Sequence, residues 1–355
     1  MTSTAILTAM QKSEEIAVVP KTSCFLCGRT GAALYSGLSD WLFGVSGHWN
    51  LRSCGYCSMA WLDPQPAVED IPKLYSRYYT HRSLPTTSLQ SLRKAASDCV
   101  LARMGYPVEA PTQILPRLLS HAPSLKRWGS LDVMDLKPVQ AGTLLDVGCG
   151  NGEFIEHMRD LGWSVSGVDP DPAAVEWGRI RGLEVFEGTV ADVPASMRYD
   201  VITLSHVIEH VPDPVRLLLE CRRRLRPGTG TVVMTTPNIK SLGYRWFKGL
   251  WRGLEVPRHL HIFSPSALSV CVARSGLNLH SIRTETRLAR MIYLNSMSAK
   301  NGRRDVGDQA RFSAGAKCAS YAFQLLEEAV IGFQQDSGEE IVCVCVAPAE
   351  NDGNC

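Results

Sequence analysis

Four cysteines near the beginning of the chain have the spacing of metal ligands. They form two Cys-x-x-Cys pairs, Cys24 with Cys27 and Cys54 with Cys57, and 26 residues separate the pairs. Each pair offers two thiolates to one ion, and four thiolates make the closed tetrahedral site of a structural zinc ion. The interval is longer than the roughly 15–20 residues of the commoner pattern, and two disulfides are the alternative in an oxidising compartment. We expect a structural Zn²⁺ here, in a small zinc-ribbon-like module.

A glycine-rich turn follows an apolar run in the stretch that reads LLDVGCGNG. Its glycines, Gly148, Gly150 and Gly152, let the backbone approach a ligand closely, and a helix that begins there directs its N–H groups at that ligand. A dinucleotide site would have its third glycine where Glu153 stands. Asp146, just before the turn, would repel a pyrophosphate and attract an ammonium group. The turn therefore predicts S-adenosylmethionine, which has an ammonium group and no phosphate.

Two further acidic residues follow the next two predicted strands. Asp169 lies 23 positions after Asp146, where an acid typically accepts hydrogen bonds from the ribose hydroxyls of an adenosine ligand. The alternative is that Asp169 only caps the helix that begins near Pro172. Asp192 is placed to reach the adenine amino group, although an ordinary loop aspartate is nearly as good an interpretation.

Four histidines are candidates for the general base that a hydroxyl acceptor would need. His206 and His210 flank Glu209 just after the fourth predicted strand, at the edge where doubly wound sheets bind ligands. His259 and His261 are two residues apart, so an extended segment would place them on one side. We expect His259 or His261 to be the base, with at least one of them structural. Alternatively, Glu209 and His210 shape the helix entry and the cofactor pocket without reacting.

From about residue 140 onward, the sequence has a regular pattern of predicted strands and helices, and these would hold the candidate residues in place. Short apolar runs alternate there with amphipathic stretches, which predicts βαβ units on a parallel sheet. Strands are predicted at residues 143–147, 164–169, 183–186, 200–204, 231–235, 277–283 and 340–346. Helices are predicted at residues 152–161, from 172 to about 181, at 213–225 and around 321–330. The predicted fold class is therefore α/β with a doubly wound sheet.

This part of the chain resembles the class I S-adenosylmethionine-dependent methyltransferases, from about residue 140 to 240 and again from 257. The resemblance rests on the glycine turn with its acidic neighbours, on SHVIEHVPDP after the fourth strand, on the LRPG turn and on a fifth strand ending TPN. It implies a Rossmann-like sheet of seven strands with the last strand antiparallel, and methyl transfer from the cofactor's sulfonium. The cofactor contacts that it implies are Asp146, Gly148, Cys149, Gly150, Gly152, Asp169, Asp192 and Ser205.

The nearest resemblance is to small-molecule methyltransferases of quinone, sugar and polysaccharide biosynthesis. Quinone-type relatives carry an acidic residue and then Glu and His, in some cases linked to a divalent cation; here His206 replaces the first acid, which argues against such a metal site. Several sugar-pathway methyltransferases resemble this layout, with a Cys₄ module ahead of the catalytic domain. We expect methylation of a hydroxyl on a sugar or polysaccharide precursor. The alternatives are a quinone-type O-methyltransferase, an RNA methyltransferase that grips RNA with its zinc module, and a non-catalytic protein that keeps the fold.

Composition and charge limit these expectations. The 355 residues carry 37 Lys and Arg against 35 Asp and Glu, whereas a nucleic-acid partner usually requires a concentrated basic surface. No apolar run reaches the roughly 20 residues that span a bilayer, and the N-terminus lacks a secretory pattern. We therefore expect a cytoplasmic protein that binds a small molecule or glycan and no nucleic acid. Three regions are predicted: a zinc-binding module at 1–75, a helical connector at 76–137, and a methyltransferase domain at 138–350 whose segment 241–265 faces the acceptor.

Overall fold

A computed structural model shows three sheets in the described part of the chain, with seven, four and two strands. The described residues are 16–75, 88–109, 111–121, 127, 129–138, 142–302 and 312–349. The predicted connector at 76–137 lies partly outside these ranges, as does the beginning of the predicted zinc-binding module.

The largest sheet has seven strands and supports the predicted cofactor residues. In chain order its strands are β6 (Thr143–Val147), β7 (Ser164–Asp169), β8 (Glu184–Glu187), β9 (Val201–Ser205), β10 (Thr231–Pro237), β12 (Asn278–Glu285) and β13 (Glu340–Val346). They lie side by side in the order β12-β13-β10-β9-β6-β7-β8. Every strand predicted from the sequence is present, and its ends differ from the prediction by at most two residues.

Strand direction determines which residues meet at the functional edge of this sheet. The strands from β6 to β10 pair in parallel, while β13 pairs antiparallel with both β10 and β12. The predicted seven-stranded sheet with an antiparallel last strand is confirmed. Because parallel strands end at one edge, Asp146, Asp169 and His206 are collected there. The antiparallel β13 begins at the same edge, with Glu340 opposite Pro237.

Helices pack on both faces of the large sheet. The helices with described ends are α1 (Ser88–Met104), α2 (Ile114–Leu119), α3 (Glu153–Asp160), α4 (Pro172–Ile180), α5 (Pro214–Arg224), α6 (Leu242–Phe247), α7 (Pro265–Arg274), α8 (Ala289–Lys300) and α9 (Ala314–Phe333). Successive side chains of β6 point to opposite faces, so Leu144 shares a core with Ile155 of α3 while Leu145 shares another with Leu218 of α5. Among the described helices, none combines the length and the apolar character needed to cross a membrane.

The helix that follows β7 has Asp171, and not Asp169, as its N-cap. Pro172 occupies the first turn of α4, and the carboxylate of Asp171 accepts a hydrogen bond from the N–H of Ala173. Since Asp171 is the N-cap, the alternative interpretation of Asp169 as that cap is wrong.

The four-stranded sheet joins the N-terminal region to a much later part of the chain. It contains β2 (Ala32–Leu38), β3 (Trp49–Ser53), β4 (Ala60–Leu62) and β11 (His261–Ile262), in the order β11-β4-β3-β2. The two-stranded sheet pairs β1 (Val18–Val19) with β5 (Gln65–Pro66), and a 3-10 helix, Val68–Tyr75, follows β5. Strands β4 and β11 place Trp61 opposite His261. The predicted zinc-binding module and the predicted acceptor-side segment therefore share one sheet.

Packing reinforces this connection between the N-terminal region and the large sheet. Cys24, Cys57 and Trp61 belong to the same buried cluster as Phe263 and as Met234 of β10. Ser264 also donates a hydrogen bond to the backbone carbonyl of Cys57, at 3.2 Å. The four cysteines consequently lie against the methyltransferase-like part of the chain instead of projecting from it.

Candidate active site

The turn between β6 and α3 has the left-handed backbone that its glycines allow. Gly148, Gly150 and Gly152 have φ values of 70°, 52° and 76°, a region that side chains other than glycine rarely adopt. A Cβ atom at Gly148 would lie 2.7 Å from Cγ2 of Val207, whereas a Cβ atom at Gly150 would meet nothing within 4 Å. The space beside Gly150 is therefore open, and a ligand can lie directly against the backbone there.

Asp146 is a buried carboxyl group beside this turn. Its Oδ1 accepts a hydrogen bond of 2.6 Å from Oγ1 of Thr203 on β9. Burial raises the pKa of Asp146 to about 7; the Thr203 hydrogen bond opposes the shift and the charge of Asp169 adds to it. A carboxylate in this environment is stabilised when a cationic group comes next to it. An ammonium group of a ligand fits that requirement.

The other two predicted cofactor acids, Asp169 and Asp192, are oriented by hydrogen bonds from neighbouring residues. Oδ2 of Asp169 accepts from the N–H of Gly150 and Oδ1 from the N–H of Asp171, each at 2.9 Å. Oδ2 of Asp192 accepts from the N–H and the hydroxyl of Thr189, at 2.8 and 2.9 Å, and these bonds lower the pKa of Asp192. Both carboxylates are fixed at the carboxyl ends of their strands, and their contacts with ribose and adenine stay predictions.

The remaining two predicted cofactor residues differ in exposure. Cys149 is buried, and its Sγ would lie 2.6 Å from a Cβ atom added to Gly167. Ser205 ends β9 as an exposed residue, with its Oγ 3.5 Å from Oγ1 of Thr235. The cysteine side chain thus packs under the turn, whereas Ser205 is accessible to a ligand.

His206 lies between two carboxylates at the end of β9. Its Nδ1 is 3.1 Å from Oε1 of Glu209 and its Nε2 is 2.8 Å from Oε1 of Glu340, and Glu340 is also bonded to Arg287 at 3.1 Å. Burial by itself would lower the pKa of His206, but the hydrogen bonds and charges of the two glutamates raise it to about 10. A protonated imidazole has no lone pair left. His206 is therefore a poor general base at neutral pH.

His210 and His259 face each other beside Glu209, with ring centroids 4.7 Å apart. Nδ1–H of His210 donates to the carbonyl of Arg258 at 3.0 Å, and Nδ1–H of His259 donates to the carbonyl of Gly253 at 2.8 Å. Because a carbonyl only accepts, the hydrogen lies on Nδ1 and the neutral ring keeps its lone pair on Nε2. One ligand-type atom from each of Glu209, His210 and His259 lies within 4.8 Å of the others. These three groups form the histidine cluster.

The two rings of the histidine cluster differ in exposure. His259 is buried, and burial lowers its pKa to about 4, so this ring is neutral at physiological pH. His210 is partly exposed. The phenol oxygen of Tyr75, at the end of the 3-10 helix, lies 3.0 Å from Nδ1 of His210. The N-terminal region therefore contributes a side chain to the histidine cluster.

His261 lies outside the histidine cluster. Its ring packs on Phe25 with centroids 4.7 Å apart, and its Nε2 is 3.4 Å from the carbonyl of Pro212. The chain is turned at His259, whose N–H bonds to the carbonyl of Glu255 at 3.2 Å. The two histidines consequently contact different partners, because the segment is not extended over both of them as the sequence suggested.

The four N-terminal cysteines converge on one point. Sγ of Cys24 lies 3.5 Å from Sγ of Cys57, and Sγ of Cys27 lies 3.5 Å from Sγ of Cys54. These distances are far longer than the roughly 2.05 Å of a disulfide. They are close to the sulfur–sulfur separation of about 3.8 Å that follows from a tetrahedral ion with bonds of about 2.3 Å. The disulfide alternative is therefore wrong, and the four sulfurs fit a tetrahedral metal ion.

Comparisons with known proteins agree with this geometry. Residues 114–282 match the family described as a methyltransferase domain. The ubiquinone biosynthesis O-methyltransferase of Proteus mirabilis is 32% identical over 181 residues, which cover 43% of this chain and 71% of that protein. The protein of the same name from Saccharophagus degradans is 30% identical over 188 residues, covering 44% of this chain and 78% of that protein. This chain belongs to the S-adenosylmethionine-dependent methyltransferases.

Other relatives match a smaller part of their length. The ubiquinone biosynthesis O-methyltransferase of Cereibacter sphaeroides (strain ATCC 17025) is 34% identical over 154 residues, which cover 40% of this methyltransferase but only 62% of that protein. A solved S-adenosylmethionine-dependent methyltransferase from Mesorhizobium loti is 18% identical, with 62% of this chain and 96% of that chain covered and a TM-score of 0.42.

Several residues of this methyltransferase's candidate site were not found by sequence reasoning. Tyr75, Arg258 and Glu340 contact the predicted histidines, and Thr203 contacts Asp146. The only local signal was the position of Glu340 at the start of the last predicted strand. The others belong to segments whose approach to the sheet edge depends on tertiary contacts.

Proposed function

We propose that this methyltransferase transfers the methyl group to a hydroxyl of a small-molecule acceptor, and that the acceptor is a sugar or polysaccharide precursor. The observation that supports this is the histidine cluster, in which each ring donates its Nδ1–H to a backbone carbonyl, so that Nε2 carries the lone pair of the neutral form. An aliphatic hydroxyl is a weak nucleophile until its proton leaves, so a base within hydrogen-bond reach accelerates the transfer. Such a base is less necessary for an acceptor that ionises readily.

We assign the base to His210, because it is the partly exposed ring of the histidine cluster. Its Nδ1–H is held by the carbonyl of Arg258, so a hydroxyl proton would be received at Nε2. The neighbouring His259 stays neutral and does not repel the imidazolium that forms. The nearby carboxylate of Glu209 stabilises that positive charge. His206, already protonated, holds Glu209 and Glu340 in place.

When bound, the cofactor supplies a methyl group that is attached to a sulfonium. Transfer of this methyl group leaves a neutral thioether. In this proposal Asp146 binds its ammonium group, the turn at Gly150 lies against its methionine part, and Asp169 and Asp192 bind ribose and adenine. The open space at Gly150 and the buried carboxyl of Asp146 support this arrangement. The protein's main contribution is to align the acceptor oxygen with the methyl group, since positioning supplies much of the rate in such displacements.

We also propose that Cys24, Cys27, Cys54 and Cys57 hold a structural zinc ion. Four thiolates leave no coordination position for a substrate, so the ion would have a structural role. Its position favours this, because the carbonyl of Cys57 is bonded to Ser264, beside the acceptor-side segment.

Two other classes of acceptor are alternatives to the sugar, and the test distinguishes between them. The named relatives act in ubiquinone biosynthesis, which favours a phenol of a quinone precursor as the second candidate. RNA is disfavoured, because the region 16–75 carries four basic residues against four acidic ones. Two of those basic side chains are already paired, Arg52 with Asp63 and Lys73 with Asp70, whereas RNA binding relies on clustered free cations.

The test measures formation of S-adenosylhomocysteine with nucleotide-linked sugars, catechols and transfer RNA as acceptors. We expect turnover with a hydroxylated sugar, and we expect His210→Ala to reduce it by about 10²- to 10⁴-fold with unchanged cofactor affinity. His261→Ala is the matched control, because that ring lies outside the histidine cluster. Turnover with catechols alone would favour the quinone-type acceptor, and turnover with RNA alone would overturn the proposal. Normal activity of His210→Ala would remove His210 as the base.

A further inference from the structure

Arg258 connects the N-terminal region to the histidine cluster through a buried ion pair. Its Nη1 and Nη2 donate to the two carboxylate oxygens of Asp40 at 2.9 and 3.1 Å, and its Nε donates to Oε1 of Glu255 at 3.0 Å. The side chains of Arg258 and Asp40 are 0% and 1% exposed. A guanidinium bound in this two-pronged way is fixed in both position and orientation.

Asp40 is itself held rigidly by its own loop. Its carboxylate accepts hydrogen bonds from the backbone N–H groups of Leu42, Phe43 and Val45, at 3.0, 3.1 and 3.0 Å. The ring of Phe43 lies 4.1 Å from the guanidinium carbon of Arg258, a distance typical of a cation–π contact. The position of Arg258 is thus set by the N-terminal region and not only by its own segment.

The backbone around Arg258 makes the hydrogen bonds that decide which nitrogen of each clustered ring carries the hydrogen. The carbonyl of Arg258 accepts from Nδ1–H of His210, and the carbonyl of Gly253 accepts from Nδ1–H of His259. Glu255, bound to the side chain of Arg258, lies between these two carbonyls in the chain and has a left-handed backbone with a φ of 34°. Anchoring the Arg258 side chain therefore restrains both carbonyls.

We propose that Asp40 is a positioning residue for methyl transfer: by fixing Arg258 it holds His210 and His259 in the Nδ1–H form, with the lone pair on Nε2. This inference rests on the proposed function, in which His210 accepts the hydroxyl proton. It makes the N-terminal region a part of the acceptor site, and it gives that region a role that needs no RNA.

The test uses the whole 355-residue chain with ¹⁵N-labelled histidine. Two-bond ¹H–¹⁵N correlation spectra distinguish Nδ1–H from Nε2–H rings, and His210→Gln and His259→Gln assign the two signals. We expect both rings to be Nδ1–H in the wild type. In Asp40→Asn, whose amide cannot accept both N–H groups of the guanidinium, we expect both rings to lose this preference. Asp63→Asn is the matched control, because it breaks the Arg52 ion pair of the same region without touching residues 253–259.

A second variant keeps the test decisive if Asp40→Asn does not fold. Arg258→Lys keeps the charge but cannot bind both oxygens of Asp40, and we expect the same loss of the Nδ1–H form. An unchanged spectrum in the folded variant would overturn the proposal, as would a wild-type spectrum in which either ring is Nε2–H.

Kinetics then separate this proposal from the proposed function. With the acceptor found in the panel above, we expect Asp40→Asn to lower kcat strongly in the wild-type background and hardly at all in the His210→Ala background. Equal effects in both backgrounds would mean that Asp40 acts by another route and would overturn the proposal. If the tautomer shift is seen but His210→Ala is fully active, Asp40 still fixes the two rings, but the assignment of His210 as the base fails, and with it the effect of Asp40 on methyl transfer through that base.

Discussion

Two groups of residues at the sheet edge are assembled in different ways: the predicted cofactor residues, which form the proposed cofactor side, and the histidine cluster with its contacts, which forms the proposed acceptor side. Seven of the eight predicted cofactor residues lie in three successive strand-and-turn units from Asp146 to Asp192, and the eighth, Ser205, ends the next strand, β9. The groups around the histidine cluster come from segments as distant as Tyr75, Arg258 and Glu340. A site made of consecutive units can be recognised from spacing along the chain, whereas a site made of distant segments depends on how those segments pack.

The two sides also differ in how their buried charges are balanced. Asp146 has no cationic partner among the described residues, and burial raises its pKa to about 7. On the acceptor side, burial opposes the ionisation of Glu340, but Arg287 and His206 lower its pKa to about 2. Burial would raise the pKa of Glu209, but the hydrogen bond from His206 and the charges of the neighbouring histidines together lower it. A cationic group of a ligand would therefore stabilise the Asp146 carboxylate, whereas Glu209 and Glu340 already have charged partners within the protein.

The largest expected effect is the loss of cofactor affinity when Asp146 loses its charge. Asp146→Asn keeps the shape of the side chain but removes the attraction for an ammonium group, so we expect the Kd for S-adenosylmethionine, measured by calorimetry, to rise about 100-fold. Asp200→Asn is the control. Asp200 accepts from Thr143 at the opposite end of the same strands, and its loss should affect stability only. Wild-type affinity in Asp146→Asn would remove this residue from the cofactor site.

If the four cysteines hold the proposed zinc ion, its loss should disturb the acceptor side far more than the cofactor side. In Cys57→Ser we expect amide hydrogen exchange in residues 258–264 to accelerate at least about tenfold. The Kd for S-adenosylmethionine should change less than about threefold. Cys318→Ser, at an exposed cysteine of α9, serves as the control. A comparable loss of cofactor affinity in Cys57→Ser would contradict the separation of the two sides.

Cofactor affinity should depend on pH through Asp146. Its carboxylate is present above a pKa of about 7 and is lost as the pH falls through that value. Between pH 8 and pH 6 we therefore expect the affinity of the wild type to fall about tenfold relative to Asp146→Asn. The measurement is calorimetry at constant ionic strength, with the variant accounting for titration of the cofactor itself. Parallel pH profiles of the two proteins would show that Asp146 does not titrate in this range.

His206 should give a pH dependence of stability and not of cofactor affinity. Its folded-state pKa of about 10 lies above the ordinary value of 6.5, so its stabilisation is complete below pH 6.5 and is lost as the pH rises through 10. We expect the Tm of the wild type to fall by a few degrees between pH 7 and pH 10 relative to His206→Gln. His280→Gln, at an exposed position of β12, should behave as the wild type. If the Tm of the wild type and that of His206→Gln changed equally with pH across this range, a protonated His206 between Glu209 and Glu340 would be refuted.

The smallest expected effect is at Asp192. This exposed carboxylate already bonds to Thr189, so an adenine contact would add one hydrogen bond at the surface. We expect Asp192→Asn to weaken S-adenosylmethionine binding by about threefold. Asp171→Asn removes a capping carboxylate from the neighbouring helix and is the control. No difference between the two variants in a binding titration would leave Asp192 as a capping residue alone.

The fold could be predicted closely because its signals are local. Strand Thr143–Val147 was predicted to the residue, and the proline at 172 marked the start of α4. The histidine cluster was predicted only in part. His210 and His259 were both candidates, but spacing alone linked His259 with His261, and only the turn at Glu255 brought His259 to His210.

Local sequence patterns were enough to predict the parallel sheet, the glycine turn, the acids at the strand ends and the paired cysteines, because each of these features depends on residues close together in the chain. Tertiary contacts set which nitrogen of each clustered histidine carries the hydrogen, place His206 between two carboxylates, and bring Asp40 and Tyr75 to the residues around the histidine cluster. Protonation depends on burial and on neighbouring charges, and residues far apart in sequence supply both. Hydrophobic pattern and residue spacing do not show which distant residues become neighbours.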